Sequence, residues 1–180
     1  MNQSPSAVVR QAIADDADLL AELGARTFCE TFAAHNSAED IAVYLASAFG
    51  PALQAIELAD PASLFLIAEV DGIAAGYAKL KPGDPPPGVT DEQPVELVRL
   101  YVAQEWLGRS VGAALMQACI DEARQKGYHT VWLGVWEHND RARAFYRKWK
   151  FREVGTHIFQ LGGDAQTDIL MERSIEGVAS

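Results

Sequence analysis

The stretch QEWLGRSVGAALMQACIDEARQKG, residues 104–127, combines three small residues with the start of an amphipathic helix. Gly108, Ser110 and Gly112 lie within five residues, and apolar side chains then recur at helical spacing. The preceding run PVELVRLYVA is typical of a strand. A strand, a loop of small residues and a helix beginning near Ser110 expose backbone N–H groups at the positive end of a helix dipole, which favours an anion such as phosphate. A plain helix start is the alternative, because the P-loop and dinucleotide-binding motifs are absent from this sequence.

A second segment, VWEHNDRARAFYRKW, carries functional side-chain types on one face of a predicted helix. Asn139, Ala142, Arg143 and Tyr146 are spaced so that they fall on one stripe. Asn139 is equally suited to capping the helix and to contacting a ligand, because asparagine at such a boundary is a good N-cap. Taken alone, Tyr146 would be a half-buried aromatic residue with its hydroxyl in water.

The remaining patterns alternate between strands and helices without a repeat or a long linker. Asp71-Gly72 between two apolar runs is the commonest two-residue hairpin signal, and Gly50-Pro51 separates two short helices. The proline-rich stretch 83–93 cannot form regular structure. These patterns predict the order β, α, α, β, β, β, α, β, α, β, β in one domain over residues 1–180, with a core from about residue 7 to 175. Strands are expected within residues 6–13, 63–82, 94–103, 129–137, 151–162 and 166–175, and helices within 14–35, 37–61, 110–127 and 139–150.

Composition and charge argue against several classes of protein. The net charge of −10 argues against a nucleic-acid groove, since neutralising phosphates requires a basic surface, although many proteins are acidic simply for solubility. The sequence has no apolar run of about 20 residues for a membrane span and no signal peptide, which predicts a cytoplasmic location. Cys29 and Cys119 occupy apolar positions of helical patterns, so we expect small buried side chains rather than a disulfide, and no metal site.

Both segments carry a resemblance to a known superfamily. LYVAQEWLGRSVGAALM, residues 100–116, resembles the acyl-CoA pyrophosphate loop of the GNAT N-acetyltransferases, and VWEHNDRARAFYRKWKF, residues 135–151, resembles the elements that follow it there. The resemblance extends over nearly all of the chain. It implies an α/β (α+β) fold with a mixed, mostly antiparallel central sheet of about seven strands flanked by helices, and an acetyl-CoA-dependent N-acetyltransferase. TFCETF, NSAEDIAVYL and GPALQAIELADP resemble the bacterial spermidine/spermine acetyltransferase-like branch.

The resemblance also implies where acetyl-CoA is bound. Loop amides would hold the phosphates, the preceding strand end would pair with the pantetheine arm, and Tyr146 would lie near the thioester sulfur. Three positions depart from the family pattern: Leu107 replaces a polar residue, Ser110 replaces the first glycine, and Lys150 replaces a glycine. Because lysine tolerates a left-handed cap poorly, we expect the helix end at Lys150 to differ. The implied cofactor-binding residues are Leu100, Tyr101, Val102, Leu107, Gly108, Arg109, Ser110, Val111, Gly112, Ala113, Asn139 and Tyr146.

An amine acceptor makes a base necessary. An amine with a pKa near ~10.4 is protonated at neutral pH, and freeing its lone pair costs about 4 to 5 kcal/mol. Glu96, on the strand leading to the loop, is the candidate base, and Glu137 is the second choice. Either would otherwise be a solvated acid at a strand edge. Tyr146 is the candidate catalytic acid, because its hydroxyl can donate to the departing thiolate.

The acceptor itself is less well specified by the sequence. We expect a small cationic amine, with a polyamine as the leading choice and a peptide N-terminus as the alternative; a non-catalytic acyl-CoA-binding regulatory module is the alternative to an enzyme. The sequence leaves the oligomeric state open, and a homodimer is among the states that it allows. A group of acids before the first hairpin favours a cationic acceptor, although dispersed solvated acids would give the same net charge. These acids are Glu30, Glu39, Asp40, Glu57 and Asp60.

Overall fold

The computed structural model describes residues 6–89 and 92–177, and within them seven strands form one sheet. The strand order is β1-β2-β3-β4-β5-β7-β6. Every neighbouring pair is antiparallel except β4 and β5, which are parallel. The predicted fold class, a mixed and mostly antiparallel sheet flanked by helices, is confirmed. The strands are β1 (Val8–Gln11), β2 (Leu64–Val70), β3 (Ile73–Pro82), β4 (Pro94–Val102), β5 (Thr130–Trp136), β6 (Arg152–Leu161) and β7 (Asp164–Ser174).

Helices cover both faces of this sheet. Successive residues of a strand point to opposite faces, so Leu66 of β2 joins the core on one face while Ile67 joins the core on the other. The first core contains Leu115 of α4, and the second contains Leu20 of α1. The first predicted helix is divided, because short 3₁₀ turns precede and follow α1. The helices of the described residues are α1 (Ala17–Phe32), α2 (Ala38–Ala48), α3 (Pro51–Ala59), α4 (Val111–Gln125) and α5 (Asp140–Lys148).

The turn between β2 and β3 has the predicted geometry. Asp71 has φ of +51° and Gly72 has φ of +79°. A type I′ turn requires positive φ at both central residues, and its twist matches that of the flanking strands. The hairpin prediction is confirmed, and the turn places β3 beside β2.

The parallel pairing of β4 with β5 is short. Only Pro94, Val95 and Glu96 pair with β5, opposite residues 130–132. Beyond Glu96 the two strands have no register with each other, although β4 stays paired with β3 up to Val102. A bulge on β4 accompanies the separation, since Leu80 and Lys79 of β3 face Leu97 and Arg99. The sheet therefore opens between β4 and β5 towards their carboxyl ends.

A buried group of charges ties α3 to the sheet next to this opening. Lys79 and Arg99 each donate to Oε2 of Glu57 at 2.8 Å. Burial raises the pKa of Glu57, but the hydrogen bonds from Arg99 and Lys79 outweigh it and lower that pKa. Removing one partner would leave a buried charge without its counter-ion, which is strongly destabilising.

No single helix of the described residues is long and apolar enough to cross a membrane. Taken together, α2 and α3 reach that length and composition, across a bend of 42°. Ile41 of α2 and Gln54 of α3 are buried inside the protein.

The end of α5 differs from the expectation for Lys150. This residue adopts the left-handed conformation, with φ of +68°. The N–H of Phe151 donates to the carbonyl of Tyr146 at 3.0 Å, and the N–H of Lys150 donates to that of Arg147 at 3.0 Å. These two bonds form a Schellman motif, which Phe151 completes by being buried. The expected change of helix end is therefore wrong, because hydrogen bonds and burial hold lysine in a conformation that costs it energy.

Replacing Lys150 by glycine should stabilise the protein by about 0.5–1 kcal/mol, because glycine adopts positive φ without a steric penalty and its extra chain entropy offsets part of the gain. Urea unfolding of Lys150→Gly measures the change. Lys126→Gly is the matched control, since Lys126 caps α4 with φ of −83° and should gain nothing. Equal effects of the two substitutions would contradict the argument.

Candidate active site

A cavity of about 880 Å³ occupies the opening between β4 and β5. One side is lined by the start of α4 and the inner face of α5, and the other by α1, α2 and the strands β6 and β7. Because the two strands separate only after Glu96, this residue lies where the opening begins. The cavity therefore connects the predicted cofactor loop with the opposite face of the sheet.

The loop before α4 has the backbone geometry of an anion site. Gly108 and Ser110 both adopt positive φ, +74° and +64°, so the chain turns sharply into the helix. Residues 107, 108, 110, 112 and 113 line the cavity, and the first-turn N–H groups have no acceptor within the helix. Ser110 takes the left-handed conformation that suits glycine, although it is not glycine. The predicted phosphate cradle stays a prediction, with this geometry in its favour.

Two residues of the predicted loop point their side chains elsewhere. Val111 is buried in the core, 1% exposed. The guanidinium of Arg109 lies 5.5 Å from the ring centroid of Trp106. Neither residue lines the cavity. The main-chain N–H of Val111 remains for the predicted role, whereas that of Arg109 donates to the carbonyl of Trp106 at 3.3 Å.

The last residues of β4 present a free strand edge to the cavity. Leu100, Tyr101 and Val102 pair with β3 on one side and line the cavity on the other, where β5 has moved away. A strand edge of this kind can bind a peptide-like arm by main-chain hydrogen bonds. The predicted pairing of β4 with the pantetheine arm requires an unpaired strand edge such as this one.

Asn139 caps α5 and also lines the cavity. Its Oδ1 accepts a hydrogen bond from the N–H of Ala142 at 3.2 Å. Asn139 is therefore the N-cap of the helix and also lies where it could contact a ligand, although that contact stays a prediction. Arg143, which the spacing placed on the same helix face, does not line the cavity. Its guanidinium donates instead to the carbonyl of Glu137 and to the carboxylate of Glu153.

Tyr146 lies at the wall of the cavity and is 8% exposed. Burial raises the pKa of its hydroxyl well above the ordinary value, and the neighbouring Cys119 raises it further. The side chain is therefore neutral at physiological pH. A neutral phenol can donate a hydrogen bond to a developing negative charge.

The two candidate bases have different positions. Glu96 lines the cavity, and its burial raises the pKa, against the opposing influence of His157, Lys79 and Lys81. Glu137 does not line the cavity, and its carboxylate lies 3.5 Å from Nε2 of His138. The geometry favours Glu96 over Glu137 as the base.

The acids before the first hairpin do not form a negative wall. Only Glu30 lines the cavity, and it accepts hydrogen bonds from Arg26 and from the N–H of Gln104. Asp40 accepts from the N–H of Gly163. Glu57 is paired with two buried cations, Asp60 caps a turn, and Glu39 is exposed away from the cavity. The expected acidic cluster in the acceptor cleft is therefore wrong, because tertiary contacts use most of these carboxylates.

The cavity contains further groups that the sequence analysis did not single out. His157 of β6 and Asp168 of β7 face each other, with Nε2 and Oδ2 3.5 Å apart. Arg141 and Lys148 of α5 bring positive charge to the side where phosphates are predicted. Alternation along β6 could have placed His157 on an inner face, but its partner strand is set only by the fold. Within residues 6–89 and 92–177, no group of three His, Cys, Asp or Glu side chains is arranged to hold a metal ion.

Comparison with protein families settles the class. The model of the acetyltransferase (GNAT) family matches residues 29–151, well over half of the chain. The chain belongs to the GNAT family. The predicted enzyme class, an acetyl-CoA-dependent N-acetyltransferase, is confirmed. The match includes both predicted motifs, and the non-catalytic alternative is set aside.

Individual relatives agree with this class. This acetyltransferase is 35% identical over 149 residues to an uncharacterized N-acetyltransferase of Lactobacillus delbrueckii, covering 83% of this chain and 86% of the relative. It is 37% identical over 160 residues to one of Mycobacterium tuberculosis, covering 89% and 98%. A solved structure, the PaiA N-acetyltransferase of Thermoplasma acidophilum in complex with coenzyme A, has a TM-score of 0.73 at 23% identity, covering 94% and 99%. The similarity to the T. acidophilum structure shows a shared fold alone. None of the three names a polyamine, so the branch resemblance stays a prediction.

Gly112 provides a direct test of the loop. A Cβ at this position would lie 3.6 Å from the ring of Phe145 and 3.7 Å from Val102, which are ordinary contacts, so the fold can accept a side chain. Gly112→Asp should weaken acetyl-CoA binding by about a hundredfold or more, because it places a carboxylate at an anion site. Isothermal titration calorimetry measures the affinity. Gly112→Ala controls for size and Gln117→Asp, exposed on the same helix, controls for charge; unchanged affinity in folded Gly112→Asp would disprove the assignment.

Proposed function

We propose that this GNAT enzyme transfers the acetyl group of acetyl-CoA directly to a primary amine. The observation that carries the proposal is that one cavity is lined by the start of α4, the free edge of β4, Tyr146 and Glu96. Donor and acceptor can then meet at the opening of the sheet without a covalent enzyme intermediate. Holding two reactants in one cavity contributes much of the rate enhancement of such transfers.

The first-turn N–H groups of α4 and the free edge of β4 would hold the donor. The open arrangement fits acetyl-CoA, because a phosphate needs donors without side chains in the way and the pantetheine arm needs an unpaired strand. When bound, acetyl-CoA supplies an activated thioester acetyl group. The coenzyme A found with the T. acidophilum relative supports this proposal. Arg141 and Lys148 add the positive charge that phosphates require.

Glu96 would take the proton from the acceptor ammonium. A base is most effective when its pKa approaches the working pH, and burial moves Glu96 in that direction. It is the last residue of β4 that pairs with β5, so it lies where the opening begins. The amine is thereby supplied in its nucleophilic form.

Tyr146 would keep its proton and donate a hydrogen bond from its hydroxyl to the sulfur as the thiolate leaves. The high pKa of the buried phenol keeps it protonated throughout the working range. A thiol with a pKa near ~8.5 is a fair leaving group, so this donation assists the reaction rather than being obligatory.

The identity of the acceptor, the oligomeric state and the cellular location are predictions from the sequence. A polyamine acceptor rests on the branch resemblance in the early helices, without the acidic cluster expected from the sequence. A peptide N-terminus is the alternative acceptor. A homodimer and a cytoplasmic location are proposals from the sequence alone.

Replacing Tyr146 by phenylalanine should lower kcat by about 10² to 10⁴ while leaving the affinity for acetyl-CoA nearly unchanged, because only the proton donor is removed. Steady-state kinetics and calorimetry measure the two quantities. Tyr128→Phe is the control, since Tyr128 is half-buried outside the cavity. Normal turnover across the pH range in Tyr146→Phe would remove the proposed acid.

Replacing Glu96 by glutamine should lower kcat/KM by about 10² to 10⁴ and abolish the acidic limb of its pH profile. In the wild type this limb should lie above pH 4.5, because the base acts as the carboxylate and its pKa is raised. A raised pKa also means that the charged form opposes folding at neutral pH, so Glu96→Gln should not lower the Tm at pH 7. Glu137→Gln is the control, and a greater loss of activity there would reverse the assignment.

A further inference from the structure

Five aromatic side chains enclose the side of the cavity opposite the cofactor loop. Their rings follow one another in contact, with centroids 5.5 Å apart for Trp136 and Phe32, 4.5 Å for Phe32 and Phe28, 4.4 Å for Phe28 and Tyr44, and 5.4 Å for Tyr44 and Phe159. We call this set the aromatic arc. All five line the cavity, and they come from α1, α2, β5 and β6. A ligand on this side of the cavity would contact the faces and edges of these rings.

A carboxylate lies between the two ends of the arc. Asp168 is the cross-strand partner of Trp136 on one side and of His157 on the other, and Phe159 follows His157 by two residues. The side chain of Asp168 is 13% exposed. Burial raises its pKa, and His157 opposes that rise. Its charge is thus incompletely compensated and faces the cavity.

Gly134 of β5 makes room for this pair. A Cβ at this position would lie 3.0 Å from Nε2 of His157 and 3.1 Å from Oδ2 of Asp168, closer than ordinary side-chain contacts. Gly134 itself lines the cavity. The missing side chain therefore lets Asp168 and His157 reach the same space as Glu96, whose pKa His157 influences.

The surroundings are unfavourable to a second positive charge. Arg99 lines the same cavity, and the buried group of Glu57, Lys79 and Arg99 contains one carboxylate and two cations, a net charge of +1. Glu30 is engaged by Arg26 and the N–H of Gln104. A second ammonium would meet the guanidinium of Arg99, and the remaining carboxylate of the described lining, Glu30, is already engaged.

We propose that the acceptor is a primary amine with a single positive charge and an aromatic body, whose ammonium is received by Asp168 and Glu96 while its ring packs against the aromatic arc. This inference deepens the proposed function and rests on it. Asp168 and Glu96 neutralise the cation, and the arc binds the body by offset and edge-to-face contacts. A polyamine supplies an ammonium for these two carboxylates, but it has no aromatic body, and its further ammonium groups would be repelled by Arg99.

Competing amines test the inference. Coenzyme A release is measured with 2-phenylethylamine, n-butylamine, spermidine and an alanine-initiated peptide, and 2-phenylethylamine should exceed each of the others in kcat/KM by about tenfold or more. Spermidine, n-butylamine or the peptide performing as well or better would overturn the inference and leave the proposed function intact. If acetyl-CoA binds but no amine is acetylated, the proposed function itself fails, and the inference with it.

A binding measurement separates recognition from turnover. In the presence of coenzyme A, calorimetric titration with 2-phenylethylamine should show Asp168→Asn binding about ten- to a hundredfold more weakly than the wild type, with coenzyme A affinity unchanged. Asp164→Asn, an exposed acid of the same strand that does not line the cavity, is the matched control. Phe159→Leu, which keeps an apolar side chain without a ring, should weaken binding by about fivefold or more. Equal affinities of wild type, Asp168→Asn and Phe159→Leu would overturn the inference.

Discussion

The separation of β4 from β5 after three paired residues is the constraint on which the rest of the site depends. Parallel strands normally pair along their length, since unpaired main-chain groups in a sheet interior are costly. Here the lost pairing leaves a free edge on β4 and a cavity that passes between the two faces of the sheet. The start of α4 and the carboxylate of Glu96 then lie on that one cavity, because Glu96 belongs to β4 and residues 103–110 lead from the end of β4 to α4.

The distribution of charge around the opening follows from the same geometry. Glu57 of α3 is paired with Lys79 and Arg99, so the charge that Arg99 brings to the cavity wall is fixed in place by an ion pair. Most of the other early acids serve as caps or ion pairs. The carboxylates of Glu96 and Asp168 remain towards the cavity with raised pKa values, which is the environment that acid–base chemistry requires. Net charge of the chain is therefore a poor guide to the charge of this site.

Local patterns predicted most of the elements, because each depends on a few neighbouring residues. Asp71-Gly72 requires only two positive φ angles, and the helix pattern of α4 only a period of 3.6 residues. Where tertiary contacts oppose a local preference, the prediction was wrong. Lys150 takes a left-handed conformation because the hydrogen bond from the N–H of Phe151 to the carbonyl of Tyr146, together with the burial of Phe151, outweighs its preference. Asp40 and Glu57 were expected in a cleft, but each found a partner distant in sequence.

The sequence by itself determined the family and the element order, because contiguous motifs of about 17 residues carry the resemblance. The place where the donor binds stays a prediction. It named Glu96 and Tyr146, although their roles rest on the resemblance. Only the tertiary structure decided which groups face the cavity. His157 and Asp168 meet through the pairing of β6 with β7, and Gly134 leaves them space. These residues come together through strand register and through the packing of helices on the sheet. No local pattern of residues encodes either of these.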